Sequence, residues 1–210
     1  MRFSRKSLLL PAVLFLSCMM LPNFALASSG TDFSNSGGTL SGTNAGLSLS
    51  GSMLIAVNGF DGGGLVSGNL GSVSFSTGAL TSGSLQMGGT FGAGGSFTVT
   101  GNGSGGIPNG VLFSGSFSGP TTWTLVTLSN GTHSYTLTGV VTGTMNGATV
   151  TGVAVQLTIN TGVGFFNGSV TLSGGDTTFA SVPEPSTLAL FGAGMIGLGG
   201  AVRRKALVRN

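Results

Sequence analysis

Short groups of alternating apolar and polar residues fill the middle of the chain, and Gly, Asn and Ser separate the groups. Alternation with a period of two places successive side chains on opposite faces of a β-strand. In the Asn-Gly dipeptide both residues tolerate the positive φ that two-residue hairpin turns require. The pattern therefore predicts an all-β, antiparallel domain with turns at or near its Asn-Gly dipeptides, which begin at Asn58, Asn102, Asn109, Asn130, Asn146 and Asn167.

The clearest prediction is a three-stranded meander over residues 121–160, with turns at Asn130-Gly131 and Asn146-Gly147. Two-residue turns would pair Ser129 with Thr132 and Met145 with Ala148, which fixes the register of both hairpins. One face of the meander is then predicted to pack into the core. Its rows are Trp123 with Thr138 and Val155, Leu125 with Thr136 and Leu157, Val140 with Val153, Thr142 with Thr151, and Thr144 with Thr149.

The other face of the meander mixes apolar residues with glycines, which favours a sandwich or a β-solenoid over an open sheet. Upstream, Gly-Ser-apolar units begin at Gly71, Gly95 and Gly115, and their irregular spacing leaves the solenoid open. Glycine contributes 41 of 210 residues, so disorder is the alternative to folding. We expect a Gly/Ser/Thr-rich sandwich or solenoid-like domain because alternation and turn chemistry agree.

The N-terminus has the composition of a secretory signal peptide. Cations open the chain, an apolar run extends from Leu8 to Leu21, and small residues stand at Ala25 and Ala27, where a signal peptidase reads them. The sequence predicts cleavage after Ala27. An uncleaved membrane anchor and a lipoprotein modified at Cys18 are the alternatives.

Charge and cysteine usage narrow the function classes. All seven Lys and Arg residues lie near the two ends of the chain, and the stretch between them carries only acidic charges, so a nucleic-acid partner is excluded. Cys18 is the single cysteine and would leave with the signal peptide, so we expect a mature chain without disulfides or a reactive thiolate.

Candidate catalytic groups are few. His133 is the single histidine, and its position two residues after a turn predicts a strand residue at the solvent edge. Asp32, Asp61 and Asp176 stand isolated in Gly-rich sequence. Two stretches, FDGGG at 60–64 and SGGD at 173–176, resemble calcium loops, but such loops act as stacked repeats, so turns are favoured. We expect no catalytic residue, metal or cofactor.

The C-terminal segment has a different organisation. Pro183 and Pro185 fix their own φ around Glu184 and disfavour a helix before them. An apolar helix is predicted over residues 187–202, about 24 Å long at 1.5 Å per residue and short for a membrane core of about 30 Å. It ends at the stop-transfer cations Arg203, Arg204 and Lys205, which prefer the cytoplasm.

The order Val182-Pro183-Glu184-Pro185-Ser186-Thr187, helix and basic cluster resembles the PEP-CTERM sorting signal of Gram-negative bacteria. The resemblance covers about the last 29 residues, and the tail ALVRN is slightly longer than usual. It implies that exosortase, a membrane transpeptidase, recognises Pro183, Glu184 and Pro185 and removes the helix. The implied organisation is a signal peptide at 1–27, an exported β-rich domain at 28–180 and a sorting segment at 181–210, comprising the motif at 182–187, a transmembrane helix at 187–202 and a basic tail at 203–210.

On this basis the expected function is that of a non-enzymatic protein of the cell surface or exopolysaccharide matrix of a biofilm. Its expected partners are signal peptidase and exosortase during export, the inner membrane transiently, and exopolysaccharide. An adhesin or carbohydrate-binding module that uses Tyr135 and Trp123 is one alternative, and a self-assembling β-fibre is the other.

Overall fold

The computed structural model describes residues 30–179, which form thirteen β-strands and one short 3-10 turn, η1, at Phe60–Gly62. Within this range no helix has the length and apolarity needed to cross a membrane. The strands in chain order are β1 (Thr31–Ser36), β2 (Thr39–Thr43), β3 (Gly46–Asn58), β4 (Val66–Ser76), β5 (Leu80–Ser84), β6 (Gly88–Phe91), β7 (Gly94–Asn102), β8 (Asn109–Phe117), β9 (Thr121–Thr127), β10 (His133–Met145), β11 (Ala148–Gly162), β12 (Ser169–Thr171) and β13 (Gly174–Phe179).

Eight of these strands form a sheet that closes on itself. The order runs β1-β3-β4-β7-β8-β10-β11-β13, and β13 pairs with β1 to complete the cycle. Every pairing is antiparallel. The all-β, antiparallel prediction is confirmed. The strands of residues 30–179 belong to one continuous antiparallel sheet, which is neither the pair of separate sheets of a sandwich nor the parallel coils of a solenoid.

Two extensions continue from the closed sheet. One runs from β10 through β9 and β6 to β5, and the other runs from β3 through β2 to β12. They meet where the Leu80 amide donates to the Asn44 carbonyl at 2.9 Å. The Gly-Ser-apolar units of the sequence lie on neighbouring strands β4, β7 and β8, and their third residues, Val73, Phe97 and Phe117, are buried.

Phenylalanine fills the interior of the closed sheet. Phe97 lies 6.1 Å from Phe75 and 6.2 Å from Phe117, measured between ring centroids. Phe113 and Phe179 approach to 4.4 Å. Each of these rings is almost fully buried, so the Gly/Ser/Thr-rich sequence still supplies a close-packed core.

Of the two Asn-Gly turns predicted in the meander, one forms as a two-residue turn and the other does not. Asn146-Gly147 forms the expected two-residue turn with φ of 50° and 78°, and Thr144 pairs with Thr149 as predicted. A bulge between Val141 and Gly143 then shifts the register. The predicted pairing of Thr142 with Thr151 is therefore wrong, and Val140 pairs with Ala154 instead of Val153.

At Asn130-Gly131 the predicted register is wrong by one residue. Trp123 pairs with Leu137, not Thr138, and Thr127 pairs with His133. The turn has three residues because the Leu128 amide bonds to the Thr132 carbonyl at 2.8 Å. The slip puts Trp123, Leu125, Tyr135 and Leu137 on one apolar face in place of the mixed rows expected, and Val140 is 41 % exposed.

Candidate functional site and the sorting segment

Long strands give the molecule two distinct ends. The terminal end, as we use the term, comprises Thr31, Phe179, residues 59–65 and the Asn146-Gly147 turn. The loop end lies at the other end of β10 and comprises residues 84–87, 128–132 and 163–168. The candidate sites divide between these two ends.

At the loop end, Tyr135 and Trp123 form a buried aromatic stack with ring centroids 4.9 Å apart. The Tyr135 hydroxyl donates to the Gln86 carbonyl at 2.7 Å and accepts from the Phe166 amide at 3.1 Å. The Trp123 Nε1–H donates to the Leu85 carbonyl at 2.9 Å. The hypothesis that these two rings are exposed for ligand binding is wrong, because they hold two loops together.

His133 is also buried, contrary to the expected solvent-edge position. Its Nδ1 lies 3.0 Å from the Thr127 hydroxyl oxygen, and its ring stacks on Phe165 at 4.3 Å between centroids. The register slip that pairs His133 with Thr127 explains the difference. Phe165 itself is 47 % exposed, so one side of this aromatic pair faces solvent.

Phe165 was not among the candidate functional residues predicted from the sequence. It lies in the loop after β11, next to Phe166, which is buried while Phe165 is exposed. A Phe-Phe pair flanked by Gly164 and Asn167 is the signal that could have indicated one exposed ring.

Two of the aspartates described as isolated are neighbours on the outer face of β1 and β13. Thr178 donates to Asp32 at 3.1 Å, and Ser34 donates to Asp176 at 3.1 Å. Partial burial raises the pKa of Asp32 above its ordinary value of 3.8, and the Asp176 carboxylate raises it further, against the Thr178 hydrogen bond, which lowers it. The view of these residues as isolated is wrong, because strand pairing joins the two ends of the chain.

Asp61 lies in η1, within the FDGGG stretch, and its Oδ1 accepts a hydrogen bond from the Asn146 side-chain Nδ2. This contact connects the 59–65 loop to the β10–β11 turn. The expectation of a turn at SGGD is wrong, because Gly174, Gly175 and Asp176 are the first residues of β13. Among residues 30–179, no three His, Cys, Asp or Glu side chains cluster in a way that could hold a metal ion.

The terminal end fixes where the sorting segment leaves the domain. Phe179 is buried and pairs with Thr31, so both flanking segments start from adjacent points. Three residues lie between Phe179 and Pro183, and the four Cα-to-Cα steps that join them span at most about 14 Å. The predicted sorting, stop-transfer and signal-peptidase residues lie outside the described residues: Pro183, Glu184, Pro185, Arg203, Arg204, Lys205, Ala25 and Ala27.

Comparison with known proteins identifies the C-terminal segment. No curated protein and no solved structure matches the chain. Residues 181–205 match the family model of the PEP-CTERM protein-sorting motif. This motif implies export and membrane-anchored sorting by an exosortase. The chain carries a PEP-CTERM sorting motif, joined at the terminal end to an all-β domain.

Proposed function

We propose that this protein is a non-enzymatic structural component of the cell surface or exopolysaccharide matrix of a Gram-negative bacterium. The observation that carries the proposal is the sorting motif at residues 181–205, directly after the last strand of the folded domain. A domain delivered outside the cell without disulfides depends on burial for its stability, and the phenylalanine core of the closed sheet meets that need.

The sorting step is tested by replacing Pro183, Glu184 and Pro185 together with alanine in the full-length chain. Alanine favours helix where proline opposes it, so the helix expected over 187–202 can extend backwards and hide the cleavage peptide. We expect this variant to stay full-length in the inner membrane, while the parent is trimmed and leaves it. Intact mass and membrane fractionation measure both.

Pro120→Ala is the matched control, because Pro120 is an exposed proline within the folded domain. It should be trimmed like the parent. Release of the triple-alanine variant with the parent's mass would refute sorting through this motif. Reversal of the charges of Arg203, Arg204 and Lys205 should instead impair retention before processing, because it removes the stop-transfer signal.

The matrix role needs its own measurement, namely the location of the trimmed protein in cells that make exopolysaccharide. We expect it to cofractionate with the polysaccharide and to become soluble when the polysaccharide is digested. Trimmed protein that is equally soluble before and after digestion would contradict the matrix role and leave the sorting step intact.

Carbohydrate binding is a second candidate, favoured by the exposed face of Phe165 at the loop end. An aromatic face offers an apolar platform of the kind that sugar rings stack on, and the polar Asn160 and Thr161 lie nearby in the chain. Phe165→Ala should abolish cosedimentation with a neutral polysaccharide, whereas Val163→Ala, which alters a side chain 77 % exposed, should not. Equal sedimentation of both variants and the parent would remove this candidate.

A further inference from the structure

The folded domain begins very close to the peptide that the sorting enzyme must handle. Phe179 cannot move away from the domain without breaking its pairing with Thr31 and its contact with Phe113. Pro183 therefore stays within about 14 Å of the terminal end for as long as β13 is paired. Any enzyme that binds residues 183–185 works within that distance of the domain surface.

The limit of about 14 Å between Pro183 and the terminal end is short compared with the width of a protein interface. A standard interface buries about 800 Å² on each partner, which corresponds to a disc of roughly 16 Å radius. A partner centred on Pro183 would therefore overlap the terminal end. We propose that the exosortase contacts the folded domain at the terminal end while it processes the sorting motif, so that this surface forms part of the substrate. The inference rests on the proposed sorting function.

Leu65 is the side chain best placed to report such a contact. It is 70 % exposed and directly precedes β4, whose first residue, Val66, pairs with Val57. Three strand spacings of about 4.8 Å separate β13 from β4, about 14 Å in total. Leu65 thus lies within the roughly 16 Å radius of a standard interface centred on the end of β13, from which the sorting segment starts.

The surface around Leu65 is held in place from two sides. Phe60 is buried with its ring centroid 6.1 Å from that of Phe33, which in turn lies 5.5 Å from Phe179. Asp61 accepts a hydrogen bond from the Asn146 side chain in the β10–β11 turn, on the opposite side of the closed sheet. The 59–65 loop is therefore connected to the last strand through packed rings, which gives a partner a defined surface to contact.

The test compares the trimming rates of four full-length chains in the host. Leu65→Glu adds a charge at the terminal end, and Val163→Glu adds the same charge at the loop end, where the side chain is 77 % exposed. The parent and Leu65→Glu are also made with twelve Gly and Ser residues inserted after Ala180. We expect Leu65→Glu to be trimmed at least threefold more slowly than the parent, and Val163→Glu at the parent's rate.

The spacer separates a contact from a folding defect. With twelve extra residues the enzyme no longer has to overlap the domain, so Leu65→Glu should be trimmed at the rate of its spacer-containing parent. Unchanged trimming of Leu65→Glu without the spacer, or equal slowing with and without it, would overturn the proposed contact. A parent chain that is never trimmed would overturn the sorting function as well, so the two failures are distinguishable.

Discussion

Glycine–glycine pairing at one point of the closed sheet shows how single residues set the path of the strands. Gly143 of β10 pairs with Gly115 of β8, and the Phe113 ring lies over both. A Cβ on Gly143 would lie 2.5 Å from the Gly115 Cα and 2.8 Å from the Phe113 Cζ. Neither residue has room for a side chain, so glycine here permits close packing of backbone and ring.

Gly143→Ala should therefore destabilise the fold by about 1 to 3 kcal/mol, since the added methyl group meets backbone atoms that cannot rotate away. Thermal unfolding measures the loss as a fall in Tm of several degrees. Gly164→Ala is the control, because a Cβ there has only the Thr161 carbonyl oxygen within 4 Å, at 3.9 Å. Equal Tm values for both variants would contradict the close approach of β8 and β10.

The carboxyl pair Asp32 and Asp176 predicts a pH dependence. The pKa of Asp32 is raised in the folded state by burial and by Asp176, so folding favours its protonated form. The stability that protonated Asp32 contributes is fully present below its ordinary pKa of 3.8. This stability is lost as pH rises through the higher pKa of the folded state. Asp32→Asn removes this loss, so the Tm of the variant minus that of the parent should be larger at pH 7 than at pH 3.

Asp176→Asn removes the same repulsion from the other side and should change the pH dependence in the same direction. The measurement is a series of thermal unfolding curves from pH 3 to pH 7. A Tm difference that does not vary with pH for either variant would show that the two carboxyl groups do not interact.

At the scale of elements, the same dipeptide sets two different registers. Asn146 takes positive φ itself and gives a two-residue turn, as the sequence predicts. Asn130 instead accepts hydrogen bonds from the Thr132 amide at 3.1 Å and the Thr132 hydroxyl at 2.7 Å, and only Gly131 has positive φ. The residue after the turn favours this form, because the threonine hydroxyl adds a second donor to the backbone amide that any residue except proline would supply. Local pattern thus predicts strands and turns, while register depends on side-chain contacts.

Loop packing at the loop end depends on the Tyr135 hydroxyl, which is bonded on both sides. Tyr135→Phe leaves the buried Phe166 amide without a partner and should cost about 1 to 3 kcal/mol. Trp123 is the single tryptophan and stacks on Tyr135, so its fluorescence should report the loosening of this site. Thr138→Val, which removes an exposed hydroxyl, is the control and should leave both stability and emission unchanged.

At the scale of the whole molecule, closure of the sheet depends on the pairing of β1 with β13, which no local sequence pattern predicts. Thr31 and Phe179 are 148 residues apart, the difference between their numbers, yet they are partners across β1 and β13. The alternation of apolar and polar residues predicted that the regions of β1 and β13 are extended. Because no turn connects them, their pairing could not be predicted, and a sandwich and a solenoid agreed equally well with the pattern. The same pairing brings Asp32 beside Asp176. Because the two residues are far apart in the chain, their proximity could not be predicted from the sequence.

Adjacent chain ends make a circular permutant the sharpest check of closure. Paired residues in antiparallel strands have Cα atoms about 4.5 to 5.5 Å apart, so four glycines can join Phe179 to Thr31 at little entropic cost. New ends are placed in the exposed turn at Ser129–Gly131. This permutant should keep a β-type circular dichroism spectrum and a Tm within a few degrees of that of the linear domain.

Opening the chain between Val140 and Val141 cuts β10 where it adjoins both β8 and β11, so that permutant should lose cooperative unfolding. If the first permutant failed to fold while the linear domain folded, the ends would not be adjacent and the sheet would be open between β1 and β13.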